Sequence, residues 1–454
     1  MVFRIALLIL TAGSLMAADY KAGVARTVIT PTKPIYMSGY ASRNHPSEGV
    51  VHDLWAKALA IEDSKGNRAV IVSMDLIGIP RSMGDLIAAR VLKDYGLDRE
   101  RLLLNASHTH TGPIVSGNLE SMFQLEPADR AVAEEYRKIL TEKLIALIGE
   151  SLQRLEPADL HFANGTADFA VNRREWDGDR VKIGVNPRGP TDHDVPVLRV
   201  TAPDGKIRAI IFGYACHNTT LSNYLISGDY AGYAQIEIEK ANPGATAMFI
   251  TLCGADQNPN PRGQQELAEK HGASLAAKVQ EVLSKKMSRA NGEIRAAFQT
   301  VDLMFAAQNR EMYEARLQEK DRFRVQHAKA MLALHDAGRP IRQYPYPVQA
   351  IRFGNDYTIL ALGGEVVVDY ALRAKEVFGE KGLMVAGYSN DVMSYIPSLR
   401  VLREGGYEAD HSMIYYGLPG PYNEEVEERI FDTIHSVMTR VGIKAEKLDI
   451  PKAK

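Results

Sequence analysis

The chain has 454 residues but only two cysteines, Cys216 and Cys253. A disulfide framework serves small exported domains that cannot bury enough apolar surface. A chain of this length does not need one, and a pair of buried free thiols is expected. Charge of one sign is also lacking: 54 Lys and Arg stand against 56 Asp and Glu, a net charge of -2. That balance excludes the basic surface on which nucleic-acid binding depends. There is no internal repeat and no low-complexity linker. Beyond the first residues no apolar run is long enough to span a bilayer, so the mature chain should carry no transmembrane segment.

The amino terminus, MVFRIALLILTAGSLMAADY, is of another kind. Arg4 supplies a positive start, Ile5 to Met16 is apolar but too short to span, and Ala17 and Ala18 are small residues suited to cleavage. Residues 1–18 therefore read as a signal peptide, and the mature protein as secreted or periplasmic. The alternative is a buried N-terminal helix or strand.

Apolar residues make up 45% and charged residues 24%, an ordinary globular composition. Arg68 to Gly78 is a β-branched apolar run suited to a buried strand. Arg81 to Tyr95 has helical spacing and is stopped by Gly96, and Arg101 to Asn105 is a second strand. Helices are predicted over Ala131 to Leu155, Tyr230 to Ala241, Gln264 to Lys285, from about Val367, and over Glu424 to Val441. Strands are predicted over Val195 to Val200 and Arg208 to Tyr214, joined at Asp204-Gly205, and over Ala247 to Leu252. A hairpin is predicted over Val348 to Leu362, turning at Gly354-Asn355. The charge-rich run from Asn309 to Ala337 reads as one solvent-facing helix. Strands and helices alternate without a composition break, which predicts an α/β fold of mixed β-sheets flanked by helices in a single large domain over 19–441. Residues 442–454 are expected to form a charged tail.

Several strand ends carry residues that could do chemistry. NASHTHTGP, Asn105 to Pro113, begins where a predicted strand stops. In an extended segment His108 and His110 would point to one side. Neutral imidazole is a good metal donor, but an isolated H-x-H is also common as mere hydrogen-bonded polar residues. AIIFGYACHNTT places His217 at another strand end, and FITLCGADQNPN runs a third strand into Asp256, Asn258 and Asn260. Ligands and catalytic groups gather at the carboxyl ends of α/β strands. Glu365 follows Gly363 and Gly364. It suits either a third metal ligand beside two histidines or a charge in the first turn of a helix.

Taken in order, MSGYA (Met37 to Ala41), NASHTHTGP, VNRR (Val171 to Arg174), ACHNTT followed by SGDYAGYA, GADQNPN, LGGEV and SNDVMSYIPS resemble the N-terminal catalytic domain of the neutral/alkaline non-lysosomal ceramidase family. The resemblance runs from about Tyr20 to the residues around Tyr407. It implies a Zn2+ ion held by His108, His217, Glu365 and Tyr395. It implies catalytic roles for His110 and Arg173 in steadying a developing oxyanion, and it places Asn258 where the family has a serine. Asparagine can donate a hydrogen bond but cannot act as an oxygen nucleophile. The family's carboxyl-terminal immunoglobulin-like domain is expected to be missing, since only the short tail follows Val441.

The expected function is that of an exported zinc-dependent hydrolase of linear amides, ceramidase-like, acting on an N-acyl lipid or small-molecule amide with peripheral contact to a membrane surface. The alternatives are hydrolysis of an ester or other conjugate at the same site, or an inactive relative that binds metal or lipid.

Overall fold

The computed structural model describes residues 18–123 and 125–447. The predicted signal peptide, apart from Ala18, lies outside the described residues, as do residues 448–454. Strand periodicity explains the architecture. In the strand Arg68–Met74, Val70, Val72 and Met74 enter one core, and Ala69 and Ile71 enter another. The parallel neighbour Leu102–Ala106 repeats this, with Leu102 and Leu104 on one side and Leu103 on the other. Each fully buried aliphatic side chain contributes about 2 kcal/mol. A slip of one residue would exchange the two faces, so the register is strongly specified.

The result is four layers. A nine-stranded sheet runs in the order Thr246–Thr251, Ile207–Tyr214, Asp194–Thr201, Glu156–Thr166, Tyr20–Val28, Trp55–Asp63, Arg68–Met74, Leu102–Ala106, with Ser288–Ala290 also paired to Glu156–Thr166. Helices Arg81–Tyr95 and Pro127–Gln153 cover one half of its outer face. Helices Asp229–Ala241 and Gln265–Ser284 cover the other half. Its inner face packs on a second sheet ordered Ile294–Met304, Gln343–Phe353, Tyr357–Leu362, Leu383–Ala386. Helices Asp369–Phe378 and Val426–Arg440 close the far side of that sheet. Mixed sheets flanked by helices in one large domain are what the alternating pattern predicts.

The first sheet ends in a parallel pair at each edge, and its two edge strands meet. Asn105, fully buried at the end of Leu102–Ala106, accepts a hydrogen bond from the Thr251 amide at 3.0 Å. Its own amide donates to Gly387 O at 2.8 Å and Ser389 Oγ at 3.1 Å. One side chain thus ties both edges of the large sheet to the segment that leaves the second sheet. Three strand ends converge there, leading to His108 and His110, to Asn258 and towards Tyr395, and the neighbouring end of Ile207–Tyr214 leads to His217.

Arg81–Tyr95 has the predicted bounds, and Gly96 ends it in the left-handed conformation (φ 63°) with its amide on Leu92 O. Cys216 and Cys253 are both buried and free. Two expectations are corrected. The run from Asn309 to Ala337 is two helices, Arg310–Arg316 and Arg322–Asp336. Asp321 accepts from the amides of Phe323 and Arg324, so it caps a second start inside the run. Nor do these helices only face solvent, since Tyr313, His327, Ala328 and Met331 are buried. The strand predicted to Gly78 stops at Met74, and the carbonyls beyond it serve the site instead. Of the residues expected as a tail, Ile443 bonds back to Met438 O and Glu446 to Val377 O.

Candidate metal centre

NASHTHTGP is not extended across both histidines. His108 takes a left-handed backbone conformation (φ 59°), because its amide is held by Leu76 O at 2.8 Å while the amide of His110 reaches across to Asn218 O at 3.1 Å. The two rings nevertheless meet, with Nε2 to Nε2 at 3.1 Å. The expectation that they share a side holds, but the reason is loop anchoring and not strand alternation.

Each histidine is oriented from behind. His108 Nδ1 lies 2.6 Å from Ile77 O, and His217 Nδ1 lies 3.0 Å from Gly254 O. A carbonyl only accepts, so both Nδ1 atoms carry a proton, and a lone pair for a metal ion can come only from Nε2. Gly254 can approach so closely only without a side chain, since a Cβ would stand 2.4 Å from the Cys216 amide nitrogen. Gly39, in MSGYA, has φ 98°, and a Cβ there would lie 2.3 Å from His110 Nδ1.

The acidic side comes from a register. Glu365–Val366 pairs in parallel with Tyr395–Ile396, with Glu365 directly opposite Tyr395. Glu365 Oε2 lies 3.1 Å from His108 Nε2 and 3.0 Å from His217 Nε2. The Tyr395 hydroxyl is 3.2 Å from the same His217 nitrogen. Among the described residues His108, His110 and His217 form a buried group able to hold a metal ion. The 3.0–3.2 Å separations resemble the ~3.3 Å edges of a tetrahedron with donors ~2.0 Å from its centre, as zinc requires. Two imidazoles anchored through Nδ1, a carboxylate and a phenol therefore make a donor set that fits a divalent cation.

Electrostatics agree with this donor set. Burial, then Arg173, lowers His217 to about 4, so the ring is neutral. Burial, with His108 and His217 beside it, holds His110 well below its ordinary value. Burial alone would raise Glu365, but His108 and His217 outweigh it and hold the carboxyl well below the usual range. Burial pushes the Tyr395 phenol well up, and Arg173 opposes that shift.

The remaining predicted residues are here as well. Arg173 donates to the Tyr395 hydroxyl at 3.0 Å, to Glu408 at 2.7 Å and to Asn258 Oδ1 at 3.3 Å. Asn258 sits opposite Val171 in a short strand pairing and also accepts from Thr219 Oγ1 at 3.4 Å. All seven predicted side chains are buried in one cluster. Sequence reasoning missed its supports. Tyr416 donates to the other oxygen of Glu365. Glu408 joins Arg173 to Arg174, which it accepts at 2.6 Å. The Tyr388 ring lies 4.4 Å from that of His108, and Tyr407 packs 5.3 Å from Tyr395. These residues lie in irregular segments without periodicity, so only a buried charge such as Glu408 asking for a partner could have pointed to them.

Fold and centre together define a layered α/β protein built around a buried histidine–carboxylate site suited to a divalent cation. The family model described as neutral/alkaline non-lysosomal ceramidase, N-terminal, matches residues 20–252, half of the chain. The chain belongs to that family. It is 24% identical over 308 residues to the neutral ceramidase of Pseudomonas aeruginosa, which covers 62% of this chain and 45% of that protein. It is 27% identical over 269 residues to neutral ceramidase A of Dictyostelium discoideum, covering 54% of this chain and 37% of that one. The chain thus spans less than half the length of these curated relatives. The crystal structure of the Pseudomonas aeruginosa neutral ceramidase superposes with a TM-score of 0.72 at 20% identity, over 95% of this chain and 76% of that one. A ceramidase structure described as complexed with C2 gives 0.71 at 19% identity, over 95% and 77%. These likenesses establish the fold.

Proposed function

We propose that this protein is an exported, zinc-dependent hydrolase that cleaves the amide bond of an N-acyl lipid or related amphiphile. Residues 1–18 would direct export, and the domain over 19–441 would work in contact with a membrane surface. The observation that carries the reading is that His108 Nε2 and His217 Nε2 both lie at the same oxygen of Glu365, with the Tyr395 hydroxyl 3.2 Å from His217 Nε2. The names of the relatives, neutral ceramidases, support an amide of ceramide type.

His108, His217, Glu365 and Tyr395 hold the ion in this reading. Zinc supplies Lewis-acid polarisation of a carbonyl and lowers the pKa of a water to ~7. The chain does the rest. Glu365 brings the one formal negative charge, and Arg173 pins the phenol of Tyr395. His110 Nε2 lies 3.1 Å from His108 Nε2, beside the donor set, where it can donate to a carbonyl oxygen as that oxygen gains charge. Asn258 offers its amide nitrogen to the substrate and cannot serve as a nucleophile.

The test is metal analysis of the purified chain joined to a turnover assay on ceramide, N-acyl amino acids and esters. One zinc per chain and amide cleavage are expected, and His108→Ala should lose both metal and at least 1000-fold in rate, on the order of the loss when a central catalytic group is removed. Full turnover by metal-free His108→Ala would overturn the proposal.

A further inference from the structure

The loop 217–223 runs from His217 along one rim of the centre, and both of its flanks are cationic. On one flank Tyr40 donates to Leu221 O at 3.0 Å, and Arg43 donates to Asn223 O at 2.8 Å. The Arg43 guanidinium is buried and bonds otherwise only to the carbonyls of Ser38 and His110, both at 2.6 Å. Its Nε has no partner, and among the described residues no carboxylate pairs with it. On the other flank Gly263 donates to Thr220 O at 2.7 Å, which sets Arg262 beside the loop, exposed and without an ion pair among the described residues. Two carboxylates also stand by this loop, and neither pairs with Arg43 or Arg262. Asp229 takes the amides of Leu221 and Tyr230, and Glu48 stands 3.7 Å from His45.

Asn258 adds direction. Arg173 can only donate, so the atom facing it must be Oδ1. The amide nitrogen is therefore turned away from Arg173, and it donates to no group among the described residues, although the residue is only 5% exposed. The surroundings of this loop thus present an N–H donor from Asn258 and two guanidinium groups without a salt-bridge partner among the described residues, where a serine hydroxyl could also accept. A buried charge without a counter-ion acts strongly on its surroundings because the local dielectric is low.

Building on the amide-hydrolase reading, we infer that the substrate carries a carboxylate next to its scissile amide, as an N-acyl amino acid does, and that Asn258 Nδ2, Arg262 and the charge of Arg43 select it. A carboxylate accepts charge-assisted hydrogen bonds that a neutral hydroxyl cannot match. A bond-only role for Arg43 as a clasp of three carbonyls would leave the preference absent.

The experiment compares N-lauroylglycine with N-lauroylethanolamine, which differ at that end chiefly in carboxylate against hydroxyl, for binding and turnover by the metal-loaded protein and by Arg262→Glu. The expected result is at least tenfold tighter binding of the carboxylate, with the ratio reduced at least tenfold in Arg262→Glu and narrowed by 0.5 M salt. Equal binding of the two, or a ratio indifferent to Arg262→Glu, overturns the inference. Preferential binding without turnover of either amide upholds it and sinks the hydrolase reading instead. Turnover of both without preference does the reverse.

Discussion

The two sides of the centre are held by different kinds of atom. On the histidine side the supports are main-chain carbonyls, Ile77 O for His108 and Gly254 O for His217. On the acidic side they are side chains: Tyr416 on Glu365, Arg173 on Tyr395, and Glu408 with Arg174 behind Arg173. Carbonyl supports come with the backbone and survive most substitutions. Side-chain supports can be removed one at a time. The imidazoles should therefore keep their orientation as long as the fold stands, whereas the carboxylate and phenol should be sensitive to single changes far from them in sequence.

The largest test of this contrast is Glu408→Gln. It leaves the Arg173 guanidinium buried without its carboxylate, and breaking a buried pair costs about 4 kcal/mol. Urea unfolding should show that loss, and the double variant with Arg173→Leu should recover part of it. A loss under 1 kcal/mol would mean that the acidic side does not depend on this network.

Next is Asp391, whose carbonyl takes the Gly364 amide at 2.7 Å and whose side chain accepts from Tyr344 at 2.7 Å. Burial raises its carboxyl to about 6. The folded state therefore binds a proton that the unfolded chain has released. Stability should fall as pH rises from about 4 to about 6, by up to about 3 kcal/mol, and recover on acidification through that window. Asp391→Asn should flatten this part of the profile in thermal melts taken across it. An unchanged slope would locate the dependence elsewhere.

The smallest effect is expected for Tyr416→Phe. Loss of an outer hydrogen bond to a metal-binding carboxylate weakens metal affinity by about tenfold. Chelator competition should report that change with the melting temperature preserved. An unaltered affinity would mean that Glu365 needs no outside support.

The same contrast explains what could be read from the chain beforehand. His108 and His217 lie just past strands whose apolar runs are plain in the sequence, Asn258 lies in the segment that follows a third, and strand ends are where ligands gather. Arg81–Tyr95 was legible because its apolar spacing and its Gly96 stop agree. Glu365 could be read from its glycines either as a third metal ligand or as a helix-start charge, and Tyr395 became a candidate only through family resemblance, because a two-residue parallel pairing leaves no periodic trace. Tyr416 and Glu408 sit between Gly405 and Gly420 in short turns, one of them a π-helical turn over Tyr407–His411. Their partners are fixed by tertiary contact alone. The split at Gln318–Lys320 was missed because a run of charges keeps helical composition while Asp321 restarts the helix.

Asn105 also bears on the timing of assembly. Its partners Thr251 and Gly387 are made about 150 and 280 residues after it, so the clasp stays open through most of synthesis. A nascent chain released as far as residue 252 has all three imidazoles but neither the carboxylate nor the phenol. In the proposed four-donor site, Glu365 and Tyr395 are therefore the last two donors to be made, long after the histidines.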